Sequence, residues 1–160
     1  GRRTDEQVEV LRRLWNDELV TYNGKWHAIA DAGINPRPVQ RPIPLWFGGI
    51  ADRVLRRIGR LGDGWVVPSY DRAPLKKHHE AFAKIRDHAR QAGRDPGTIG
   101  MEKVFGFTTA QPTDWAQVVE GWREVGATHV SISTMEDPGL TTLDAHIDAI
   151  GQFKDKTNGR

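Results

Sequence analysis

The feature that most constrains this chain is a fourfold alternation of apolar, strand-like runs with amphipathic helical segments after residue 42. The runs are predicted as strands at 43–48, 64–68, 101–109 and 129–134, and the helical segments at 51–61, 72–92, 113–125 and 141–155. Strands that alternate with helices in this way are typical of parallel βαβ units. Four units suffice for a small open sheet, but they are half of a (β/α)8 barrel, which typically needs ~250 residues.

Residues 1–42 follow a different pattern. Residues 4–16 have the spacing of an amphipathic helix, and the dipeptide Asn23-Gly24 between two alternating runs predicts a hairpin over 19–29. The four prolines of "DAGINPRPVQRPIP" predict an extended connector, because a helix interior does not tolerate proline. We therefore predict one domain over 1–160, with helix, hairpin and connector in 1–42 and the four βα units in 43–160.

The composition narrows the functional classes. The chain has 160 residues, 38% hydrophobic and 28% charged, with no cysteine and no apolar run of the ~20 residues that a membrane helix needs. The net charge is only +2 and its arginines are spread over several segments, which does not favour nucleic-acid binding. These features predict a cytoplasmic protein that binds neither a membrane nor nucleic acid.

The stretch "PLWFGG" ends an apolar run on Gly48-Gly49 immediately before a helix. A helix N-terminus presents unpaired backbone N–H groups, so bare backbone at this point suits a phosphate. The alternative is a tight strand-to-helix turn without a ligand. The stretch is neither a G-x-G-x-x-G fingerprint nor a Walker loop.

Polar candidates follow the other predicted strands. Pro68 and Ser69 end the second strand, Thr108 ends the third and Ser133 ends the fourth. Each is a candidate pocket residue, and ordinary hydrogen bonding to neighbouring loops is the alternative. At the opposite end of the second strand, Asp63 is interpreted as a turn carboxylate.

The six histidines do not have the spacing of a metal site. His78 and His79 are adjacent on a helix and point about 100° apart, and His88 is more than two turns beyond them. We interpret them as solvated and predict no metal. No serine lies in a G-x-S-x-G elbow, which argues against a hydrolase of that type.

Taken together, the segments resemble one family. The stretches "GRRTDEQVEVLRRLW", "VTYNGKWHAI", "DAGINPRPVQRPIPLWFGG", "LRRIGRLGDGW" and "GATHVSIST" occur in the order and spacing of the luciferase-like monooxygenase superfamily. The branch that the chain resembles most is the coenzyme F-420 (deazaflavin) dependent oxidoreductases. The resemblance covers essentially the whole chain, but it matches only the C-terminal half of such proteins.

The resemblance implies a TIM-like barrel with an inserted hairpin and a cofactor, coenzyme F-420 or FMN, across the carboxyl ends of the strands. It implies that Gly48, Gly49, Ile50 and Ala51 contact the phosphate region of the cofactor. Many relatives have serine at Ile50 or Ala51, so here only backbone N–H groups remain as donors. Hydride transfer to or from an unidentified small organic substrate is the implied reaction, and the catalytic residues are unknown.

Two other functions stay open, a non-catalytic truncated half-barrel and a phosphate-binding α/β module without redox activity. A half-barrel leaves one sheet face uncovered, so we expect a homodimer or a missing N-terminal half to cover it, and little activity from this chain alone. The residues expected to meet water otherwise are among Leu45, Phe47, Val66, Phe105, Phe107, Val130 and Ile132.

Overall fold

A computed structural model describes residues 1–68, 71–107, 115–135 and 137–157. The chain divides into two compact units, Gly1–Leu45 and Trp46–Arg160, and each is described by itself. Over the described ranges, no helix combines the length and the apolar character needed to cross a bilayer.

The first unit consists of a helix and a β-hairpin, as predicted. Helix α1 spans Arg2–Asn16, and strands β1 (Val20–Asn23) and β2 (Ala28–Ala32) pair antiparallel in a two-stranded sheet of their own. The Asn-Gly pair is not the whole turn: Asn23 pairs with Ala28, and the N–H of Gly24 donates to the carbonyl of His27 at 2.8 Å. The connection is therefore residues 24–27, and the second strand reaches beyond the predicted end at 29.

The carboxylate of Glu6, on α1, fixes this connection. It accepts the backbone N–H groups of Lys25, Trp26 and His27 at 3.0, 2.9 and 2.8 Å and lies 2.9 Å from His27 Nδ1. Burial acts to raise the pKa of Glu6, but these hydrogen bonds outweigh it and lower the pKa below its ordinary value. A Cβ at Gly24 would overlap the Glu6 carboxylate, so the glycine is needed for this close approach.

The second unit is a parallel sheet of four strands in the order β3-β4-β5-β6, which confirms the predicted α/β fold. The strands are β3 (Trp46–Gly48), β4 (Gly64–Val67), β5 (Gly100–Gly106) and β6 (His129–Ser133). The helices are α2 (Asp52–Leu61), α3 (Leu75–Gln91), α4 (Trp115–Glu124) and α5 (Leu143–Thr157). The first strand is shorter than predicted, since Ile43, Pro44 and Leu45 precede it.

One face of the sheet packs against the helices. Alternate strand residues, among them Trp65, Val67, Met101 and Phe105, are buried in one cluster with residues of α2, α3 and α4. The helical members of this cluster are Leu55, Ile58, Phe82, Ile85, Ala89, Trp115 and Trp122. This core confirms the prediction that α2 and α3 are amphipathic helices.

The opposite face of the sheet is half-buried and largely polar. The Trp46 side chain lies across Gly64 and Gly100, where a Cβ at either position would overlap it, and its ring meets His129 edge-on at 5.1 Å. Further along the same face the hydroxyl of Ser131 donates to the Glu102 carboxylate. We name this the inner face and the other the helix face.

The expectation about uncovered apolar side chains is therefore wrong for four residues. Phe47, Phe105, Val130 and Ile132 lie on the helix face, in or against the core. The physical reason is that side chains alternate between the two faces along a strand, so a residue one position away points to the other face. The expectation did not assign each residue to a face. Helix α5 also differs, because Leu143, Ile147 and Ile150 have the helical spacing of a buried stripe but are exposed.

Candidate functional site

The carboxyl ends of parallel strands meet at one edge of a sheet, and the predicted site residues that the structure describes lie along this edge. Gly48 ends β3 and residues 49–51 follow it, Pro68 follows β4, and Ser133 ends β6. The predicted pocket residues Ser69 and Thr108 lie outside the described residues.

The turn after β3 depends on Gly49. Its φ is 121°, in the region that side chains rarely adopt, and a Cβ there would meet Val54 at 3.4 Å. The indole N–H of Trp65, in the core, donates to the Gly49 carbonyl at 2.9 Å and fixes the turn from beneath. Gly48 has no such restriction, since a Cβ there would only reach the Val66 carbonyl at 3.8 Å.

Helix α2 begins directly after this turn. Ala51 is its N-cap, and the Ala51 carbonyl accepts the N–H groups of Val54 and Leu55 at 2.7 and 3.1 Å. No side chain caps the helix, so the N–H groups of Asp52 and Arg53, which precede Val54 in the first turn, are left for a ligand. The turn therefore fits an anion through backbone donors, although the exposed Asp52 carboxylate, 3.1 Å from Lys84 Nζ, adds a negative charge beside it.

The loop after β4 is held from below by a buried lysine. Lys103 Nζ donates to the carbonyl of Pro68 at 2.8 Å and to that of Asp71 at 3.1 Å. Burial lowers the pKa of Lys103 below its ordinary value, and the nearby Asp71 charge offsets only part of that effect. The sequence alone does not distinguish Lys103 from an ordinary strand residue. Its position between the core residues Met101 and Phe105, on the same face of the strand, indicates that it is buried.

A histidine lies under the same loop, and the interpretation of His78 as solvated is wrong. Its side chain is 2% exposed, with Nδ1 3.2 Å from the Pro74 carbonyl and Nε2 3.5 Å from a carboxylate oxygen of Asp71. The sequence did contain the signal, since residue 78 shares its helix face with Phe82 and Ile85. Over the described part of the chain, no three His, Asp or Glu side chains are grouped so as to hold a metal ion.

A cleft of ≈ 270 Å³ connects the turn after β3 with the loop after β4. Most of its lining belongs to α2 and α3, including Leu55 and His78, and it reaches Ile50 in the turn and Asp71 and Ala73 in the loop. The structure thus brings Ile50, of the predicted site, together with Asp71 and Ala73 at one cleft.

Ser133 lies apart from these two segments. Its strand is three positions from β3 in the sheet, about 14 Å at the usual spacing between strands. Its carbonyl accepts the Phe107 N–H at 2.9 Å, and its side chain lies on the inner face. Asp63, at the opposite edge, is 3.1 Å from Arg94, which agrees with its interpretation as a turn carboxylate.

A family profile described as luciferase-like monooxygenase matches residues 1–129. The chain belongs to this family. Its curated relatives include an F-420-dependent glucose-6-phosphate dehydrogenase of Segniliparus rotundus, 32% identical over 114 residues, which are 71% of this chain and 33% of that protein. The luciferase-like chain thus spans about a third of the length of this relative.

Solved structures of similar fold include the coenzyme F-420 dependent tetrahydromethanopterin reductase of Methanopyrus kandleri. The TM-score is 0.73 at 16% identity, over 98% of the luciferase-like chain and 62% of the reductase. A riboflavin lyase solved with modified FMN and riboflavin has a TM-score of 0.58 at 20% identity, over 78% of this chain and 31% of that one. The luciferase-like fold is therefore shared with F-420 and FMN proteins alike.

Proposed function

We propose that this luciferase-like chain forms the cofactor-binding edge of an oxidoreductase that transfers hydride between coenzyme F-420 and a small organic substrate. The observation that carries the proposal is the turn at Gly49, with its positive φ and an uncapped helix directly behind it. Relatives named as F-420-dependent dehydrogenases favour the deazaflavin. FMN is the competing cofactor, because structures of the same fold contain it.

In this proposal the backbone N–H groups of Gly48–Ala51 bind the phosphate region of the cofactor. Each N–H at a helix N-terminus favours negative charge, and because Ile50 and Ala51 have no hydroxyl, the donors of this turn are backbone N–H groups. Pro68, Ser69, Thr108 and Ser133 remain predicted pocket positions. When bound, the deazaflavin supplies the hydride-carrying ring, and the protein binds and orients it.

Replacement of Gly49 tests the proposal. Gly49→Val places a branched side chain at a φ of 121° and against Val54, so we expect cofactor affinity to fall at least about tenfold. F-420 and FMN are titrated separately into the full gene product that carries this chain, and binding is followed by fluorescence and visible absorption. Helix content by circular dichroism is expected to stay unchanged.

Gly93→Val is the matched control. Gly93 also has a positive φ, 70°, but it follows α3 and a Cβ there has no atom within 4 Å. The control therefore also places a valine at a positive φ, without touching the turn after β3. Unchanged affinity in Gly49→Val, or an equal loss in both variants, contradicts the proposed site; tighter binding of FMN than of F-420 replaces the cofactor but keeps the site.

A second expectation concerns what covers the inner face. We propose that either a second copy or a further half-barrel covers it, and that the 160-residue chain alone turns over little. Sedimentation of the purified chain distinguishes a dimer from a monomer. A well-behaved monomer of this length that oxidises reduced F-420 at the rate of a complete enzyme contradicts this expectation.

A further inference from the structure

Lys103 is a cation on the helix face of the sheet, where its strand neighbours Met101 and Phe105 belong to the apolar core. Its side chain is 3% exposed, and Nζ lies 5.6 Å from the ring centre of Phe105 and 5.2 Å from that of Trp122. A buried charge destabilises a fold unless hydrogen bonds or aromatic rings compensate for lost water. The position is therefore expensive for a lysine that has only a packing role.

The partners of this lysine are two backbone carbonyls of one short segment. Nζ donates to Pro68 and to Asp71, and the N–H of Asp71 itself donates to the Pro68 carbonyl at 3.2 Å. The Asp71 carboxylate then accepts the N–H of Ala73 at 2.9 Å. The chain leaving β4 is thus held at both carbonyls by a side chain from the neighbouring strand β5.

The same segment shapes the cleft beside the turn after β3. Asp71, Ala73 and Ile50 line it together with residues of α2 and α3. Without the ammonium group, the Asp71 carbonyl would lose the donor that Lys103 supplies, and the Pro68 carbonyl would keep only the N–H of Asp71, which weakens the hold on this segment. The position of Asp71 relative to Ile50 therefore depends on Lys103.

We propose that Lys103 is a positioning residue that fixes the chain after β4 and thereby shapes the cleft beside the Gly49 turn. Its consequence for catalysis rests on the proposed function, but its effect on the loop does not. Lys103 acts through the carbonyls of Pro68 and Asp71 and contacts no reacting group in this proposal.

Lys103→Met tests it, because methionine has a similar length and no donor. In hydrogen exchange of the full gene product, the loss of a charged donor is expected to speed exchange at the Asp71 and Ala73 amides by roughly tenfold or more. Exchange of the α2 amides is expected to stay as in the unmodified protein. The matched control is Ile85→Val, which removes one methyl group from a fully buried side chain of the same core and no hydrogen-bond donor.

Steady-state kinetics then separate positioning from lost stability. A variant that is partly unfolded loses kcat in proportion and keeps the KM of its folded fraction, whereas a displaced loop raises KM. We expect Lys103→Met to raise the KM for the cofactor by about tenfold, with kcat at saturation largely kept. Ile85→Val is expected to leave KM unchanged.

Unchanged exchange at Asp71 and Ala73 in Lys103→Met overturns the inference, and so does faster exchange with an unchanged KM. If the unmodified protein binds neither F-420 nor FMN, the proposed function fails. In that case faster exchange confined to this segment still supports Lys103 as its anchor, and unchanged exchange still overturns it.

Discussion

The two faces of the four-stranded sheet differ in what holds them. On the helix face, Trp65, Val67 and Met101 have no exposed surface and pack against three helices. On the inner face, the side chains between them on the same strands are half-buried, and the pair Glu102–Ser131 is polar. In each of these strands, therefore, every second residue packs into the core and stabilises the unit.

Packing constrains the strand residues of the inner face less than those of the helix face. In a family whose cofactor is expected at the carboxyl edge, the inner face is free to carry polar groups, because the helix face already buries the apolar surface. Gly64 and Gly100 also lie on the inner face, where their lack of a side chain lets the ring of Trp46 lie across both strands.

The largest effect should separate two adjacent valines of β4. Val67 has no exposed surface on the helix face, and Val66 is half-buried on the inner face. Val67→Ala is expected to lower the free energy of unfolding by about 2–3 kcal/mol, through lost transfer energy and a residual cavity. Val66→Ala is expected to cost less than half of that. Urea denaturation of both variants measures the difference, and equal costs would remove the distinction between the faces.

Gly64 gives a smaller effect on the inner face. A Cβ at this position overlaps the Trp46 ring, so Gly64→Ala must displace the tryptophan, at about 1–3 kcal/mol. Gly48→Ala is the control, because it adds the same methyl group on the same face in ordinary contact distance of 3.8 Å. Thermal and urea unfolding of the two variants test this. If Gly64→Ala were as stable as Gly48→Ala, Trp46 would not be held across β4.

Much of the fold could be predicted from the sequence. Period and spacing fixed the existence and parallel pairing of four strands, since each βα unit is a local pattern of apolar residues. The site was only partly predictable. A glycine pair before a helix marks the turn at Gly49. The contacts of the loop after β4 are not marked in this way: Lys103 binds the Asp71 carbonyl 32 residues away, and His78 lies beside the Pro74 carbonyl four residues away. Composition alone does not predict which backbone carbonyls a lysine side chain contacts in the fold.

The two wrong interpretations have a common physical origin. His78 was interpreted from its residue type and Phe105 from its apolar character. In both cases the face of the helix or strand on which the side chain lies decides its burial. A histidine at the spacing of Phe82 and Ile85 is buried, and a phenylalanine in step with Met101 faces the helices. Glu6 escaped for another reason, since its hydrogen bonds to the loop 24–27 join residues about twenty positions apart.

Lys103 is the exception on the helix face, and its titration sharpens the comparison. Burial lowers its pKa from 10.5, so between the folded and the unfolded pKa the unfolded chain binds more protons. The contribution of Lys103 to stability therefore becomes more favourable as pH rises through this alkaline window, and the neutral amine still donates hydrogen bonds. Lys103→Met lacks the effect, so the stability of the unmodified protein should gain on that of the variant as pH rises towards 10.5.

Urea denaturation of both proteins at several pH values measures this gain, and the difference cancels the titration of the other lysines and of tyrosine. Lys76→Met is the control, because Lys76 is exposed on α3 and its variant should follow the unmodified protein at each pH. A constant difference between Lys103→Met and the unmodified protein contradicts the assignment of Lys103 as a buried cation.

The smallest effect is expected at the polar pair of the inner face. Ser131→Ala removes the hydroxyl that donates to the Glu102 carboxylate, and a single hydrogen bond of a half-buried pair has a net contribution of about 1 kcal/mol or less. The carboxylate keeps access to water after the change, because neither side chain is fully buried. Urea denaturation of Ser131→Ala beside Val67→Ala makes the test. A cost for Ser131→Ala as large as that for Val67→Ala would mean that the inner face is sealed from water, and the contrast between the faces would then lie in their chemistry and not in their burial.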